Sequence, residues 1–163
     1  MRRLFPLLTV LSLSAAIVAC GITDTTNAPV PVDIPHTQFA SSLGVDPSTM
    51  HVDQYGVFSR TDAVGTGDSA TTGTTVFVDY IGWLPDGTQF DASPAGTPLA
   101  FVLGDQSVIP GFQIGVLGMQ AGGIRTIIVP SQLAYGTSTL KTGSTTIPPN
   151  SNLVFRITLD SLR

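Results

Sequence analysis

Side chains able to make or break bonds are scarce in this chain of 163 residues. Cys20 is its only cysteine, His36 and His51 its only histidines, and Lys141 its only lysine. Neither histidine has a cluster of Cys, His or carboxylates at metal-ligand spacing, so no metal and no cofactor is expected. No G-x-S-x-G frame offers a nucleophile elbow, and no glycine cradle precedes Lys141 to hold a phosphate. What remains is a set of aromatic and aliphatic residues with few polar tips: Tyr80, Phe90, Asp91, Val108, Ile109, Phe112, Tyr135, Ile147 and Phe155. Singly, each reads as core. Together, they could wall a pocket that binds and orients an apolar group. The stretch "VFVDYIGWLPDGTQFDA" poses that choice, because it sets a tyrosine at one end of a hairpin and a Phe-Asp pair at the other.

The elements that must position these residues are mostly strands. "TVFVDYI" alternates, with Val76, Val78 and Tyr80 on one face and Phe77, Asp79 and Ile81 on the other. "LPDG" turns the chain and "TQFDA" returns it. Further strand signals lie at "PLAFVL", "GIRTIIVP" and "LVFRITLDSL", where Leu153, Phe155, Ile157 and Leu159 face opposite to Arg156, Thr158 and Asp160. One-sided strands of this kind predict a sheet packed on one face and wet on the other. Only "VIPGFQIGVLGMQAGG" offers a helix, with Phe112, Val116 and Met119 on one stripe, Pro110 near its start and Gly122 and Gly123 stopping it. Its glycines weaken it by propensity but permit close approach to a sheet. The expected class is α+β, an antiparallel sheet around one short helix.

The N-terminal "MRRLFPLLTVLSLSAAIVAC" has the charge, length and order of a signal peptide over residues 1–19. Its last four residues resemble the bacterial lipobox, which makes Cys20 the expected lipidation site and a lipid membrane the expected partner there. Residues 20–50 read as the lipidated cysteine and a flexible tether rich in Pro, Thr, Ser and Asp, with room for a short ordered part around Phe39 to Val45, and the domain spans 51–163. Cleavage before Cys20 removes Arg2 and Arg3 and leaves five basic against eleven acidic side chains, a formal net charge of -6. No basic stripe remains to track a phosphate backbone, so nucleic acid is not an expected partner. The expected location is the cell envelope, with an outer membrane facing the periplasm as first guess.

Four segments taken in order, "YIGWLPDGTQFDAS", "PLAFVLGDQSVIPGFQIGVLGMQAGG", "RTIIVPSQLAYG" and "IPPNSNLVFRITLDSL", closely resemble signature segments of the FK506-binding-protein (FKBP) type of peptidyl-prolyl cis-trans isomerase. The resemblance runs from about Gly56 to Leu162. It implies a half-open antiparallel sheet wrapped around one short helix, with a cleft between them for a proline-containing peptide, an unfolded exported protein or a macrolide inhibitor. By resemblance, Tyr80, Phe90 and Asp91 form one side of that cleft, Val108, Ile109 and Phe112 its floor, and Tyr135, Ile147 and Phe155 the other side. Tyr80, Phe90, Asp91, Tyr135 and Phe155 would then act on the reacting bond, while Leu99, Val108, Ile109, Phe112 and Ile147 would hold the substrate. Tyr80 would donate to Asp91, and Tyr135 to a substrate carbonyl.

Departures from the family pattern accompany the resemblance. The floor tryptophan of its best-studied members is Phe112 here, an aromatic early in "PLAFVL" is Leu99, and the short "ASPAGT" lacks an arginine that often pairs with the aspartate. These changes weigh against macrolide affinity more than against catalysis. Rotation about an X-Pro bond needs no nucleophile, so the missing catalytic groups do not argue against an enzyme. The alternative from another class is a non-catalytic module that holds proline peptides as a chaperone would.

Overall fold

A computed structural model describes residues 33–163. The signal segment 1–19, Cys20 and the first part of the expected tether lie outside the described residues. Eleven strands occur among the described residues: β1 (His51–Val52), β2 (Phe58–Ala63), β3 (Thr66–Ser69), β4 (Thr75–Trp83), β5 (Gln89–Ala92), β6 (Leu99–Val102), β7 (Gln120–Ala121), β8 (Ile124–Val129), β9 (Leu140–Thr142), β10 (Thr145–Ile147) and β11 (Leu153–Leu162). The helix α1 (Pro110–Val116) lies between β6 and β7.

Seven strands form one antiparallel sheet in the order β1-β2-β8-β11-β4-β5, with β6 also paired to β4. Strand β4 is shared: its residues 75–78 pair with β6 and its residues 81–83 with β5. The alternation of the strands explains the core. Val76, Val78, Leu153, Phe155, Ile157 and Leu159 are all buried on the face that carries α1. The helix can lie against β8 because two of its residues lack side chains. A Cβ at Gly111 would collide with Val129, and one at Gly115 with Ile127.

The helix is shorter than the sequence predicts. It ends at Val116, with Leu117 extended and Gly118 at φ +75°, before the Gly122-Gly123 pair. Arg125 closes this end, its Nη1 donating to the carbonyls of Gly115 at 2.8 Å and Leu117 at 3.0 Å. Met119 is buried as expected, but from beyond the helix.

Residues 33–50 also differ from the expected flexible tether. They form three short 3-10 turns, Ile34–His36, Ser41–Leu43 and Pro47–Thr49, two of them capped by Asp33 and Asp46. Ile34 and Met50 are buried in a second apolar cluster with Ile128 and Val154, and Phe39, Leu43, Val45, Phe58 and Trp83 pack against it. The segment is pinned by polar bonds as well: Ala40 N–H donates to Pro85 O at 2.8 Å, and Arg60 Nη1 to Gly44 O at 2.7 Å. The sheet is therefore covered by apolar side chains on part of its second face, where strict alternation predicts water.

Candidate active site

A cavity of about 510 Å³ opens between α1, the loop before it and the strands β4, β5, β6 and β11. Its floor is a cluster of edge-on rings. Phe112 meets Tyr80 with ring centroids 5.4 Å apart and planes at 76°, and Phe155 at 5.2 Å and 81°. Such T-shaped contacts set the positive edge of one ring on the negative face of the next and hold all three rigidly. Phe101 backs Phe112 at 5.9 Å, and Phe90 backs Phe155 at 5.6 Å.

Glycine makes this cluster possible. Gly82 of β4 stands opposite Phe155 of β11 on one side and Asp91 of β5 on the other. A Cβ there would lie 2.8 Å from Phe90 Cζ and 2.9 Å from Phe155 Cε1, so the rings occupy the space that any other residue would fill. The β4–β5 ladder also slips at this point, pairing Gly82 with Asp91 and then Trp83 with Gln89. Phe90 is the extra residue of that bulge. In a regular strand Phe90 and Asp91 would point to opposite faces; the bulge turns Phe90 in behind Phe155 while Asp91 still lines the cavity.

The polar rim has two sides. Tyr80 Oη donates to Asp91 Oδ2 at 2.7 Å, and Asp91 Oδ1 accepts from the N–H of Ala92 at 2.9 Å. Burial, reinforced by the hydrogen bond to Asp91 and its charge, pushes the Tyr80 hydroxyl far above the ordinary tyrosine range. Burial and then the charge of Asp91 also push Tyr135 up. Both hydroxyls are thus held as neutral donors. Tyr80 spends its proton on Asp91, whereas the Tyr135 hydroxyl has no hydrogen-bond partner among the described residues and Tyr135 lines the same cavity.

Eight of the ten residues expected at the cleft line it: Tyr80, Asp91, Leu99, Val108, Ile109, Phe112, Tyr135 and Phe155. Phe90 and Ile147 do not. Phe90 is 6% exposed and stands behind Phe155, and Ile147, 1% exposed at the end of β10, packs into the main core. Gln106, Ser107 and Pro110 line the cavity without having been expected there. The "DQS" of residues 105–107 carried a usable signal, since an aspartate two residues before a serine favours a side-chain turn. Asp105 Oδ1 accepts from Ser107 N–H at 2.9 Å and from Ser107 Oγ at 2.6 Å, which shapes the rim.

The family model for the FKBP-type peptidyl-prolyl cis-trans isomerases matches residues 67–160. The chain belongs to that family. Among its relatives, FK506-binding protein 4 of Emericella nidulans is 45% identical over 104 residues, covering 64% of this chain and 21% of that protein. The chain therefore spans about a fifth of the length of that relative. Two solved structures share the architecture. FkpA from Escherichia coli superposes with a TM-score of 0.60 at 36% identity, covering 70% of this chain and 51% of FkpA. The isomerase from Pseudomonas syringae pv. tomato gives 0.61 at 31% identity, covering 75% of this chain and 86% of that one. The FKBP match begins after the residue 33–50 segment, so that packed strap lies outside it.

Proposed function

We propose that the domain is a peptidyl-prolyl cis-trans isomerase whose active site is the cavity floored by Tyr80, Phe112 and Phe155. The observation that carries this reading is the pairing of a rigid aromatic floor with one uncommitted hydroxyl, that of Tyr135, above it. The barrier to turning an X-Pro bond, about 20 kcal/mol, comes from amide resonance, which separates charge in the planar form. An apolar pocket solvates that planar form poorly and tolerates the twisted, less polar one. Binding the twisted form better by only about 4 kcal/mol accelerates rotation roughly a thousandfold. The proline ring rests on Phe112 and Phe155, the residue before it against Leu99, Val108 and Ile109, and Tyr135 donates to a substrate carbonyl so that one end of the turning bond is held. Asp91 fixes Tyr80 and gives the cleft its polar edge.

The clients in this reading are proline-containing segments of exported proteins. Residues 1–20 support that placement, with Cys20 lipidated and the domain held at the cell envelope, in the first instance at an outer membrane facing the periplasm. Mass spectrometry of the mature N-terminus tests it: an unlipidated Cys20, or a start at another residue, removes the anchor.

The activity itself is tested by a proline-isomerisation assay on the full chain, comparing the parent with Tyr135→Phe and Asp91→Ala. The parent is expected to accelerate interconversion. Tyr135→Phe loses one orienting bond worth about 0.5–1.5 kcal/mol and should slow turnover roughly tenfold or less. Asp91→Ala should lower turnover more than thermal stability. A folded parent that binds proline peptides and leaves their exchange rate unchanged would make the cleft a holding site instead.

A further inference from the structure

The strap of residues 33–50 reaches the catalytic loop through one buried side chain. Asn152, 4% exposed, lies between them. Its Oδ1 accepts from the N–H of Ser131 at 3.1 Å, and its Nδ2 donates to Thr37 Oγ1 at 2.8 Å. Only one proton arrangement satisfies both. The atom facing an N–H must be the carboxamide oxygen, so the amide hydrogens point to Thr37, whose hydroxyl must accept. It can, because its own hydrogen goes to Asp33 O at 2.9 Å. On the far side, the carbonyl of Ser131 accepts from Ala134 N–H at 3.0 Å and from Gly136 N–H at 2.8 Å, and Gly136 O accepts from Asn150 N–H at 2.7 Å. The amides on either side of Tyr135 thus converge on the one residue that Asn152 holds.

We infer that Thr37 and Asn152 are positioning residues for Tyr135, which makes the strap part of the active site although it lies outside the matched FKBP region. The inference rests on the proposed role of Tyr135 as the donor to a substrate carbonyl. The pairing of Val129 with Leu153 ties one end of the loop to the sheet, but that pairing stops short of the Ser131 peptide and does not fix its rotation. The carboxamide does, and the carboxamide is itself fixed by a hydroxyl on the strap. A small tilt at Ser131 moves the Tyr135 hydroxyl relative to the turning bond, and such a donor works only while its alignment holds.

The test uses the full chain with Thr37→Val, which keeps the shape of the side chain and removes the acceptor, alone and combined with Tyr135→Phe. Thr37→Val is expected to lower kcat by up to roughly tenfold, the most that one hydrogen bond transmits, with KM little changed. Thr37→Ser should retain parental kcat. In the Tyr135→Phe background Thr37→Val should cost little more, because the group being positioned is already gone. A parental kcat for Thr37→Val, or an equal fold-loss in both backgrounds, overturns the inference and leaves the strap a purely structural cover. A Tyr135→Phe with parental activity refutes the hydroxyl's role instead. The link to the loop is then read from amide exchange at Ala134 and Gly136: faster exchange in Thr37→Val than in the parent, with α1 unaffected, supports it, and unchanged exchange overturns it.

Discussion

Adding a single methyl group at Gly82 should disturb the active site more than it disturbs the fold. The new Cβ would sit 2.8 Å from Phe90 Cζ, 2.9 Å from Phe155 Cε1 and 3.1 Å from Phe155 Cδ1, against an ordinary carbon separation of about 3.5–4.0 Å. Each ring must therefore give by more than half an ångström. Phe90 has little room, since it is buried and packs edge-on against Phe155, and its backbone is held by Thr142 Oγ1, which donates to Phe90 O at 2.8 Å. Phe155 can yield only toward Phe112 and the cavity, which puts the displacement in the floor on which the proline ring rests. Overpacking of this kind costs about 1–3 kcal/mol, offset by about 0.4–1 kcal/mol from the loss of glycine's freedom in the unfolded chain, for a net loss near 1–2 kcal/mol. Urea denaturation followed by fluorescence of Trp83 measures that loss, and the isomerisation assay measures the other. Turnover should fall by more than the stability change alone accounts for, because the assay reads only folded molecules. A Gly82→Ala protein with parental midpoint and parental kcat/KM would show that the rings are not wedged against this strand, and the account of the floor would be wrong.

Phe112→Ala removes the ring that touches Tyr80, Phe101 and Phe155, and should lower stability by about 3–5 kcal/mol together with activity; a denaturation midpoint within error of the parent would contradict its buried place in the cluster. Isomerisation should be nearly independent of pH from about 6 to 9. Tyr80 and Tyr135 are both pushed up, so they remain protonated donors throughout, and neither histidine lines the cavity. A rate that tracks a single ionisation inside that window would contradict the assignment of both tyrosines as permanently neutral donors. Asp160→Asn should raise the melting temperature at neutral pH. Burial, with the charge of Asp79 and a hydrogen bond to it, pushes the Asp160 carboxyl above the usual aspartate value. A group whose folded pKa is raised stabilises the fold while protonated and loses that contribution as pH rises through its range. The gain from the substitution should therefore appear at pH 7 and vanish near pH 3, and a gain of equal size at both would point to packing.

How far the sequence discloses the site depends on which side of a strand a residue occupies. The inward faces of Tyr80, Phe112 and Phe155 were legible because each sits in a regular element whose period assigns its face, while their meeting in one cleft was implied by resemblance alone, which set Phe155 on a side and not in the floor that it forms with Tyr80 and Phe112. Phe90 was not. Its neighbour Asp91 lines the cavity while it stands behind Phe155, and the reason is a bulge whose register no periodicity reveals. Ile147 was placed on the cleft by resemblance, yet it belongs to the β9–β10 hairpin, whose Thr142 and Thr145 hydroxyls reach the carbonyls of Phe90 and Gln89. That hairpin lies in a polar stretch with Gly143 at φ +56°, and nothing in its composition announces two strands.

The strap was legible only as a short ordered part around Phe39 to Val45, and the signal for its full extent lay on the sheet and not in the strap itself. Residues 33–50 carry no sustained period, because three separate 3-10 turns place their apolar residues at irregular intervals. The strands beneath them read differently. Ile127, Ile128 and Val129 form a continuous apolar run, as do Leu153, Val154 and Phe155, and the two runs pair residue for residue: Val129 with Leu153, Ile128 with Val154, Ile127 with Phe155. A strand wet on one face alternates; a continuous run means that both faces are covered. One face of this patch receives α1 through Gly111 and Gly115. The other, at Ile128 and Val154, needs an apolar cover that the matched FKBP region does not supply, and Ile34, Phe39, Leu43, Val45 and Met50 provide it. The same two runs lead directly to the loop of Tyr135 on one side, after Val129, and to Asn152 on the other, before Leu153. A cover placed there is next to the catalytic loop by necessity, and for this reason the strap can both complete the core and, in the proposed role, set the tyrosine with only the Asn152 side chain between it and the loop.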